Sequence, residues 1–177
     1  MKIDIKGIMK PSLKLFVICF VVTALLALTS AFTKDKIAER EAQGITDTRK
    51  VVLSTADTFK DVNYNTVCGI DAEGNTVGYV MTVIVKGYGG EIEVMVGFGK
   101  DDKVSGVSIL RQTETPGMGA KTDTSEFLSQ YKGLNSEAAL GKEIDGITGA
   151  TISSTAVTDA VNDAINKYKA LMEVENG

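Results

Sequence analysis

The sequence contains no histidine and no tryptophan, and its only two cysteines are Cys19 and Cys68. Haem is commonly held by histidine, zinc by histidine and cysteine, and iron–sulfur clusters by closely spaced cysteines. These groups are therefore excluded as resident cofactors of the usual kind, and no metal site is predicted. The chain also shows no Ser/His/Asp arrangement and no strong acid–base pair, so no catalytic residue is predicted. Any redox chemistry must come from a cofactor held by backbone groups, hydroxyls and carboxylates.

Acidic residues outnumber basic ones outside the first 14 residues. That segment holds four lysines and one aspartate, whereas the whole chain of 177 residues has a formal charge of −4 at pH 7. The remainder is therefore acidic, and it lacks the basic surface that nucleic-acid binding requires. No nucleic-acid partner is predicted.

One long apolar run, Leu15–Phe32, contains no charged residue. About 18 apolar residues are just enough to cross the hydrocarbon core of a bilayer. Because the basic segment 1–14 precedes the run, we expect a cytoplasmic N-terminus, a transmembrane helix at 15–32 and an extracytoplasmic remainder. An uncleaved, single-pass anchor in the cell membrane is favoured, because the run exceeds the ~7–15-residue core of a signal peptide. The small residues 29–31 leave a cleaved signal peptide as the alternative.

Residues 33–60 are predicted to form a helical stalk or linker between the membrane segment and a folded domain. The segment from Lys34 to Lys50 is polar and contains many residues that favour helices. We expect one helix to continue from the membrane segment and end near Gly44, and a second helix to cover 51–60.

Residues 61–177 are predicted to form one α+β domain, an antiparallel sheet with packed helices. Apolar and β-branched residues alternate with polar ones and are separated by turns rich in Gly, Asp and Asn, which predicts a meander. A short helix at 125–132 and a short strand at 143–145 are expected to follow. The last helix is expected to end in a polar tail from Glu173 to Gly177. The predicted strands are 67–70, 76–86, 91–98 and 103–110.

The last helix is indicated by an apolar stripe at helical spacing, and a turn crowded with hydroxyls, Asp145–Ser154, leads into it. Ser, Thr and Asp are preferred N-cap residues, so Thr148–Ser154 are explained by capping alone. The unpaired N–H groups and positive dipole of a helix N-terminus also suit a phosphate, which the Thr151 hydroxyl could bond or form an ester with. The residues alone leave both interpretations open. The stripe comprises Val157, Ala160, Val161, Ala164, Ile165, Tyr168, Leu171 and Met172.

A second motif, Glu114-Thr-Pro-Gly-Met-Gly119, follows the predicted meander. Pro116 fixes its own φ, whereas Gly117 and Gly119 give the backbone freedom, so this loop can bring N–H groups close to a planar ring. An ordinary Pro-Gly turn with a solvated glutamate is the alternative interpretation.

These motifs resemble those of the FMN-binding domain family. Asp145-x-x-Thr148-Gly149-Ala150-Thr151 is similar to the flavinylation motif of the family, Asp-x-x-Ser/Thr-Gly-Ala-Thr/Ser. The loop 114–119 is similar to its Glu-Thr-Pro-Gly-Leu-Gly loop, and 87–92 resembles its strand-entry segment. The resemblance covers about residues 60–170, together with a single N-terminal anchor.

The resemblance implies a covalent cofactor: FMN joined to Thr151 by a phosphoester and installed from FAD by a flavin transferase. Asp145 and Thr148 are expected to serve the transferase or to hold the turn. Related proteins often have a histidine where this chain has Gln112, so no role of that histidine is carried over. The backbone N–H groups around Ala150 to Ser153 are expected to stabilise the phosphate, and Gly149 is expected to bind the cofactor. The residues expected to line the flavin are Glu114, Thr115, Gly117, Met118 and Gly119.

The family includes the G subunit of Rnf electron-transport complexes and the C subunit of sodium-pumping NADH:quinone reductases. Resemblance to the first implies an electron-carrier protein within a complex rather than a stand-alone enzyme. Such a protein relays electrons in ferredoxin:NAD oxidoreduction coupled to Na⁺ or H⁺ translocation, with other membrane subunits as partners. The short length of the chain favours the Rnf protein over the quinone reductase protein. The latter and a membrane-anchored binding or regulatory module without redox turnover are the alternatives.

Overall fold

The computed structural model describes residues 5–175, which fall into two compact units that divide after Gly44. Each unit is described by itself. The elements in chain order are α1 (Ile5–Val52), β1 (Thr58–Asn63), β2 (Thr66–Ile70), β3 (Thr76–Lys86), β4 (Glu91–Gly99), β5 (Val104–Gln112), a 3₁₀ helix (Gly119–Asp123), α2 (Ser125–Ser129) and α3 (Thr151–Glu175).

The first unit contains the apolar part of α1. Its segment Leu13–Lys34 has 22 residues and a mean hydropathy of 2.6, and its side chains are unburied. At 1.5 Å per residue, this segment is about 33 Å long, close to the thickness of a hydrocarbon core. By length and composition it is one candidate membrane span, and it includes the predicted segment 15–32.

The stalk prediction is wrong in two respects, because α1 neither ends near Gly44 nor is followed by a helix over 51–60. The helix continues through Gly44 to Val52. A methyl group added at Gly44 would lie in open space, because it would meet no atom within 4 Å. Its end is set by tertiary contacts within the second unit. The Val52 carbonyl accepts a hydrogen bond of 2.5 Å from the Ser105 hydroxyl. The same carbonyl lies against Gly97, and a side chain at position 97 would collide with the carbonyl oxygen.

The second unit is built on a five-stranded antiparallel sheet whose spatial order, β1-β2-β3-β4-β5, is the chain order. The predicted meander is therefore confirmed. The edge strand β1 was not predicted as a strand. It lies where the second stalk helix was expected, and it is exposed apart from the half-buried Phe59, so its sequence carries no in-and-out alternation.

Each face of the sheet carries its own hydrophobic cluster. One face packs against α2 and α3, and its cluster includes Val94, Val96 and Phe98. The other face packs against Val52, Leu53 and Ala56 at the end of α1 and just beyond it. Burying each large apolar side chain contributes roughly 1.5–3 kcal/mol. Both clusters therefore fix the position of the loops at the strand ends.

The predicted apolar stripe of the last helix is confirmed. Val157, Ala160, Val161, Ala164, Ile165 and Tyr168 are buried against the sheet, with Leu171 and Met172 partly buried beside them. The Tyr168 ring stacks on Phe98 with centroids 4.3 Å apart. This packing holds the N-terminal end of α3 at a defined place beside the sheet.

Several local predictions need correction. The helix expected over 125–132 ends at Ser129, because the chain turns towards Gly133, whose φ of +86° does not suit a helix. The strand expected at 143–145 is reduced to one bridge between Leu140 and Ile144. The expected C-terminal polar tail is helical as far as Glu175, and residues 176–177 lie outside the described residues.

Candidate functional site

The loop after β5 forms one wall of the candidate site. It begins at Thr113 and leads through Pro116 and Gly117 into the 3₁₀ helix. Gly117 has a φ of +80°, which a residue with a side chain adopts only with strain. The N–H groups of Met118 and Ala120 both donate to the Thr115 carbonyl, at 3.2 and 3.3 Å. These bonds hold the loop as a tight turn.

Glu114 ties this loop to two other segments, although it is an acid with only 7% of its surface exposed. Its Oε1 accepts a hydrogen bond from the Gly89 N–H at 3.1 Å, and its Oε2 accepts one from the Ser153 hydroxyl at 2.8 Å. Buried charge is costly unless it is hydrogen-bonded, and here both oxygens have partners. The carboxylate therefore joins the β3–β4 turn, the loop after β5 and α3.

Two glycines make room for this carboxylate. A Cβ atom at Gly87 would collide with Glu114 Oε1, and one at Gly119 would collide with Glu114 Oε2. A Cβ at Gly119 would also lie 2.7 Å from the Ser153 hydroxyl oxygen. At both positions the absence of a side chain is a packing requirement.

The N-terminus of α3 forms the second wall. A turn closed by the Ala150 N–H donating to the Ile147 carbonyl at 2.9 Å precedes it, with Gly149 at a φ of +82°. The Ala150 carbonyl accepts the first helical hydrogen bond, from the Ser154 N–H, so Ala150 is the N-cap and brings no side-chain acceptor. Thr151 is the first helical residue and is exposed.

The capping interpretation fails for the serines that follow. The Ser153 hydroxyl donates to Glu114, and the Ser154 hydroxyl oxygen accepts from the Ile147 N–H at 3.1 Å, outside the helix. Within the described part of the chain, no side chain bonds to the N–H groups of Thr151, Ile152 or Ser153. The start of α3 therefore has backbone donors that are not capped by side chains.

The two walls enclose a cavity of about 590 Å³. Small-molecule sites in proteins are typically clefts of about 300–1,000 Å³ with mostly apolar walls and a few polar groups. Three large apolar side chains at this cavity are exposed: Tyr88 by 72%, Met118 by 53% and Ile152 by 57%. The complete lining is Tyr88, Glu114, Thr115, Met118, Gly119, Gly149, Ala150, Thr151, Ile152 and Ser153.

Eight of the site residues predicted from the sequence line this cavity, and three do not. Gly117 and Thr148 are outside its lining. Asp145 lines a separate groove of about 670 Å³, and its backbone N–H and carbonyl bond to the Gln130 side chain at 2.7 and 3.3 Å. The eight are Glu114, Thr115, Met118, Gly119, Gly149, Ala150, Thr151 and Ser153.

Sequence reasoning did not assign Tyr88 and Ile152 to the site. Tyr88 lies in the glycine-rich segment 87–92, and that segment was the available signal. Ile152 stands between two hydroxyl residues, and its exposure at the start of a helix is visible only in the structure.

Gln112 lies at the end of β5, outside the cavity lining. Its side-chain amide is 3.5 Å from Asp123 Oδ2. Burial raises the pKa of Asp123 above its ordinary value, and the hydrogen bond from Gln112 opposes part of that rise. The pair connects β5 to the 3₁₀ helix beneath the loop.

Comparison with known proteins assigns the chain to a family. The family model for the FMN-binding domain matches residues 87–166, and the model for the RnfG N-terminal region matches residues 1–48. The G subunit of the proton-translocating ferredoxin:NAD⁺ oxidoreductase complex of Clostridium ljungdahlii is 35% identical over 161 residues, covering 86% of this chain and 87% of the relative. The chain belongs to the RnfG family.

Two further RnfG relatives agree over nearly the whole chain. The G subunit of the Na⁺-translocating ferredoxin:NAD⁺ oxidoreductase complex of Acetobacterium woodii is 36% identical and covers 96% of each chain. The G subunit of an ion-translocating oxidoreductase complex of Methanosarcina acetivorans is 34% identical and covers 94% of this chain and 97% of its own. Among solved structures, the C subunit of the Na⁺-translocating NADH-quinone reductase of Parabacteroides distasonis is 22% identical, with a TM-score of 0.49 over 58% of this chain and 59% of that chain.

Proposed function

We propose that this chain is a membrane-anchored flavoprotein of an Rnf-type complex, and that it relays electrons through FMN esterified to Thr151. The observation that carries the proposal is the position of Thr151. It is exposed, it begins α3, and it lines a cavity beside N–H groups without side-chain caps. The membership of the RnfG family and the match to the FMN-binding domain model support FMN as the group.

The residues at this cavity suit FMN. Its volume of about 590 Å³ lies within the range for cofactor-sized ligands, and the exposed apolar side chains of Met118 and Ile152 suit a flat aromatic ring. The unpaired N–H groups at the start of α3 and the positive end of its dipole suit a phosphate. Bound FMN supplies the electron transfer, and the protein supplies position and surroundings.

The attachment reaction balances as a transfer from FAD. The Thr151 Oγ attacks the phosphorus atom on the flavin side of the FAD pyrophosphate, the P–O bond to AMP breaks, and the hydroxyl proton is released. The products are a phosphodiester between Thr151 and FMN and free AMP. A flavin transferase is the implied partner, and we propose that Asp145 and Thr148 serve it or hold the turn.

We further propose that α1 crosses the cell membrane once, with the N-terminus in the cytoplasm and the flavin domain outside. The basic residues before the apolar segment support this orientation. Outside the cell, a reversibly bound flavin would be lost by dilution, because occupancy depends on the free concentration relative to Kd. A covalent bond removes that dependence.

The partners that we propose are the other membrane subunits of an Rnf-type complex coupled to Na⁺ or H⁺ movement. The names of the relatives specify proton translocation in one organism and Na⁺ translocation in another. The match of the RnfG N-terminal model to residues 1–48 favours this complex over a sodium-pumping NADH:quinone reductase. Flavin content distinguishes the proposal from a binding module without redox turnover.

The test is the intact mass and in-gel fluorescence of the denatured chain taken from its native membrane. We expect a mass increase equal to FMN minus one water, located on the peptide that contains Thr151. Thr151→Ala should abolish it, and Thr151→Ser should keep it because the hydroxyl remains. The matched control is Thr155→Ala, because Thr155 is also an exposed threonine and lies one turn further along α3. Covalent flavin on Thr151→Ala would contradict the attachment site.

A further inference from the structure

The cavity described above contains a negative charge and no positive side chain to offset it. Of its described lining residues, none is lysine or arginine, and Glu114 is the one acid. A phosphate monoester such as free FMN carries about −1.5 to −2 at neutral pH, because its second pKa is near 6. A phosphodiester carries only one negative charge. Glu114 therefore repels the phosphate of free FMN more strongly than that of tethered FMN.

The carboxylate of Glu114 is held in place and cannot swing away from a ligand. Its two oxygens accept hydrogen bonds from the Gly89 N–H and the Ser153 hydroxyl, and the side chain is 7% exposed. Gly87 and Gly119 leave room for this one position.

The positive end of α3 does not cancel this charge. A helix N-terminus is equivalent to about half of a positive elementary charge, and its influence falls off within the first turn. Glu114 is bonded to Ser153, the third residue of that turn, so a full negative charge stands beside the half-positive one. Glu114 therefore offsets part of the attraction that the start of α3 exerts on a phosphate, and the offset is larger for a phosphate with more negative charge.

We propose that Glu114 is a specificity-determining residue that disfavours flavins of higher negative charge, so that replacing it raises the affinity for free FMN relative to neutral riboflavin. This inference rests on the proposed function, because it assumes that the cavity holds the flavin ring. Esterification to Thr151 lowers the phosphate charge and so lessens the repulsion by Glu114.

The experiment uses the full chain in detergent, produced in cells without a flavin transferase. Three probes share one ring and differ in charge: riboflavin, the monomethyl ester of FMN, and FMN. Binding is followed by quenching of flavin fluorescence. We expect Glu114 to weaken the binding of these probes by about tenfold or more for each negative charge, which is the size of the repulsion between nearby unit charges at an effective dielectric constant of about 20.

Glu114→Gln tests the residue itself. The amide can still accept from the Gly89 N–H and donate to the Ser153 oxygen, so the contacts on both sides are kept. We expect the ratio of the riboflavin affinity to the FMN affinity to fall by about tenfold or more, the same electrostatic effect in reverse. Glu73→Gln is the matched control with the same charge change. Glu73 lies in the turn before β3, whereas the cavity residue Tyr88 follows β3. The strand between them is about 33 Å long, so the control residue is far from Tyr88.

Ionic strength provides a second readout, compared between the wild-type protein and Glu114→Gln, that a structural role of Glu114 would not move. Raising the salt from about 0.01 to about 0.15 M shortens the screening length from about 30 to about 8 Å. FMN should gain more affinity with salt in the wild-type protein than in Glu114→Gln, and riboflavin should be unaffected in both. An unchanged ratio in Glu114→Gln, an equal salt effect in the two proteins, or no binding of any probe would each overturn the inference. The mass of flavinylated protein from native membranes tests the attachment at Thr151 separately.

Discussion

The hydrogen bond between Ser153 and Glu114 is expected to stabilise the folded domain by an amount that depends on the charge of the acid. Ser153→Ala removes the donor to Oε2 and leaves Oε1 with the Gly89 N–H. A hydrogen bond to a charged group contributes about 1.5–3 kcal/mol, and one between neutral groups about 0.5–1.5 kcal/mol. We therefore expect Ser153→Ala to cost about 1.5–3 kcal/mol in the native chain and about 1 kcal/mol less when Glu114 is replaced by glutamine.

The free energy of unfolding can be measured by urea titration of the full chain in detergent. The signal should be the near-ultraviolet circular dichroism of tyrosine, because the chain has no tryptophan and Tyr79, Tyr131 and Tyr168 are buried in the second unit. Far-ultraviolet signals are less suitable, since α1 alone has 48 residues.

The control is Ser129→Ala, which removes an exposed hydroxyl that donates to a backbone carbonyl at 3.0 Å. It should change the free energy of unfolding by no more than about 0.5 kcal/mol. A cost of Ser153→Ala no greater than that of this control would refute a stabilising role of the hydrogen bond. The dependence on charge would be refuted if the cost were the same with glutamate and glutamine at position 114, because the charge of the acid would then play no part.

Two further predictions use the same unfolding assay. Gly119→Ala places a methyl group against the Glu114 carboxylate and should lower the free energy of unfolding by about 1–3 kcal/mol through overpacking. In the control, Gly44→Ala, the methyl group meets no atom within 4 Å and should not lower stability. Equal effects of the two substitutions would contradict the packing argument. Burial raises the pKa of Tyr131 to about 12, against the opposing hydrogen bond with Thr158, so the folded chain keeps the phenol proton that the unfolded chain loses near pH ~10. The stability that depends on this proton is present below about pH 10 and is lost as the pH rises through about 12. Tyr131→Phe should therefore lose less stability over that range than the native chain. Identical slopes of the free energy of unfolding against pH would disprove the assignment.

The meander could be predicted from the sequence because its central strands bury one or both faces and are separated by recognisable turns. In β3, for example, Val80 packs on one face of the sheet while Tyr79 and Met81 pack on the other. β1 gave no such signal, since nearly all of it is exposed at the sheet edge. The end of α1 was equally unreadable, because Val52 is held by Ser105, 53 residues further along the chain.

The candidate site was partly predictable for a similar reason. Its two loops carry local signals, such as the fixed φ of Pro116 and the glycines that allow tight turns. The contact that joins them has no local signal, because Glu114 and Ser153 are 39 residues apart. Sequence patterns assigned each residue to the site, but only the fold shows that the carboxylate is buried and that the serine hydroxyl is committed to it.

The hydroxyl-rich turn before α3 shows why composition alone was ambiguous. Four hydroxyl residues from Thr148 to Ser154 suggest an N-cap, yet the cap position is occupied by Ala150. Alanine at an N-cap lowers helix stability by about 1 kcal/mol relative to Ser, Thr, Asp or Asn. Ser153 and Ser154 direct their hydroxyls to Glu114 and to the Ile147 N–H instead. A helix that buries its stripe so completely can tolerate that loss. The consequence is a set of N–H groups left open beside Thr151, at the one hydroxyl in the segment that is exposed and lines the cavity.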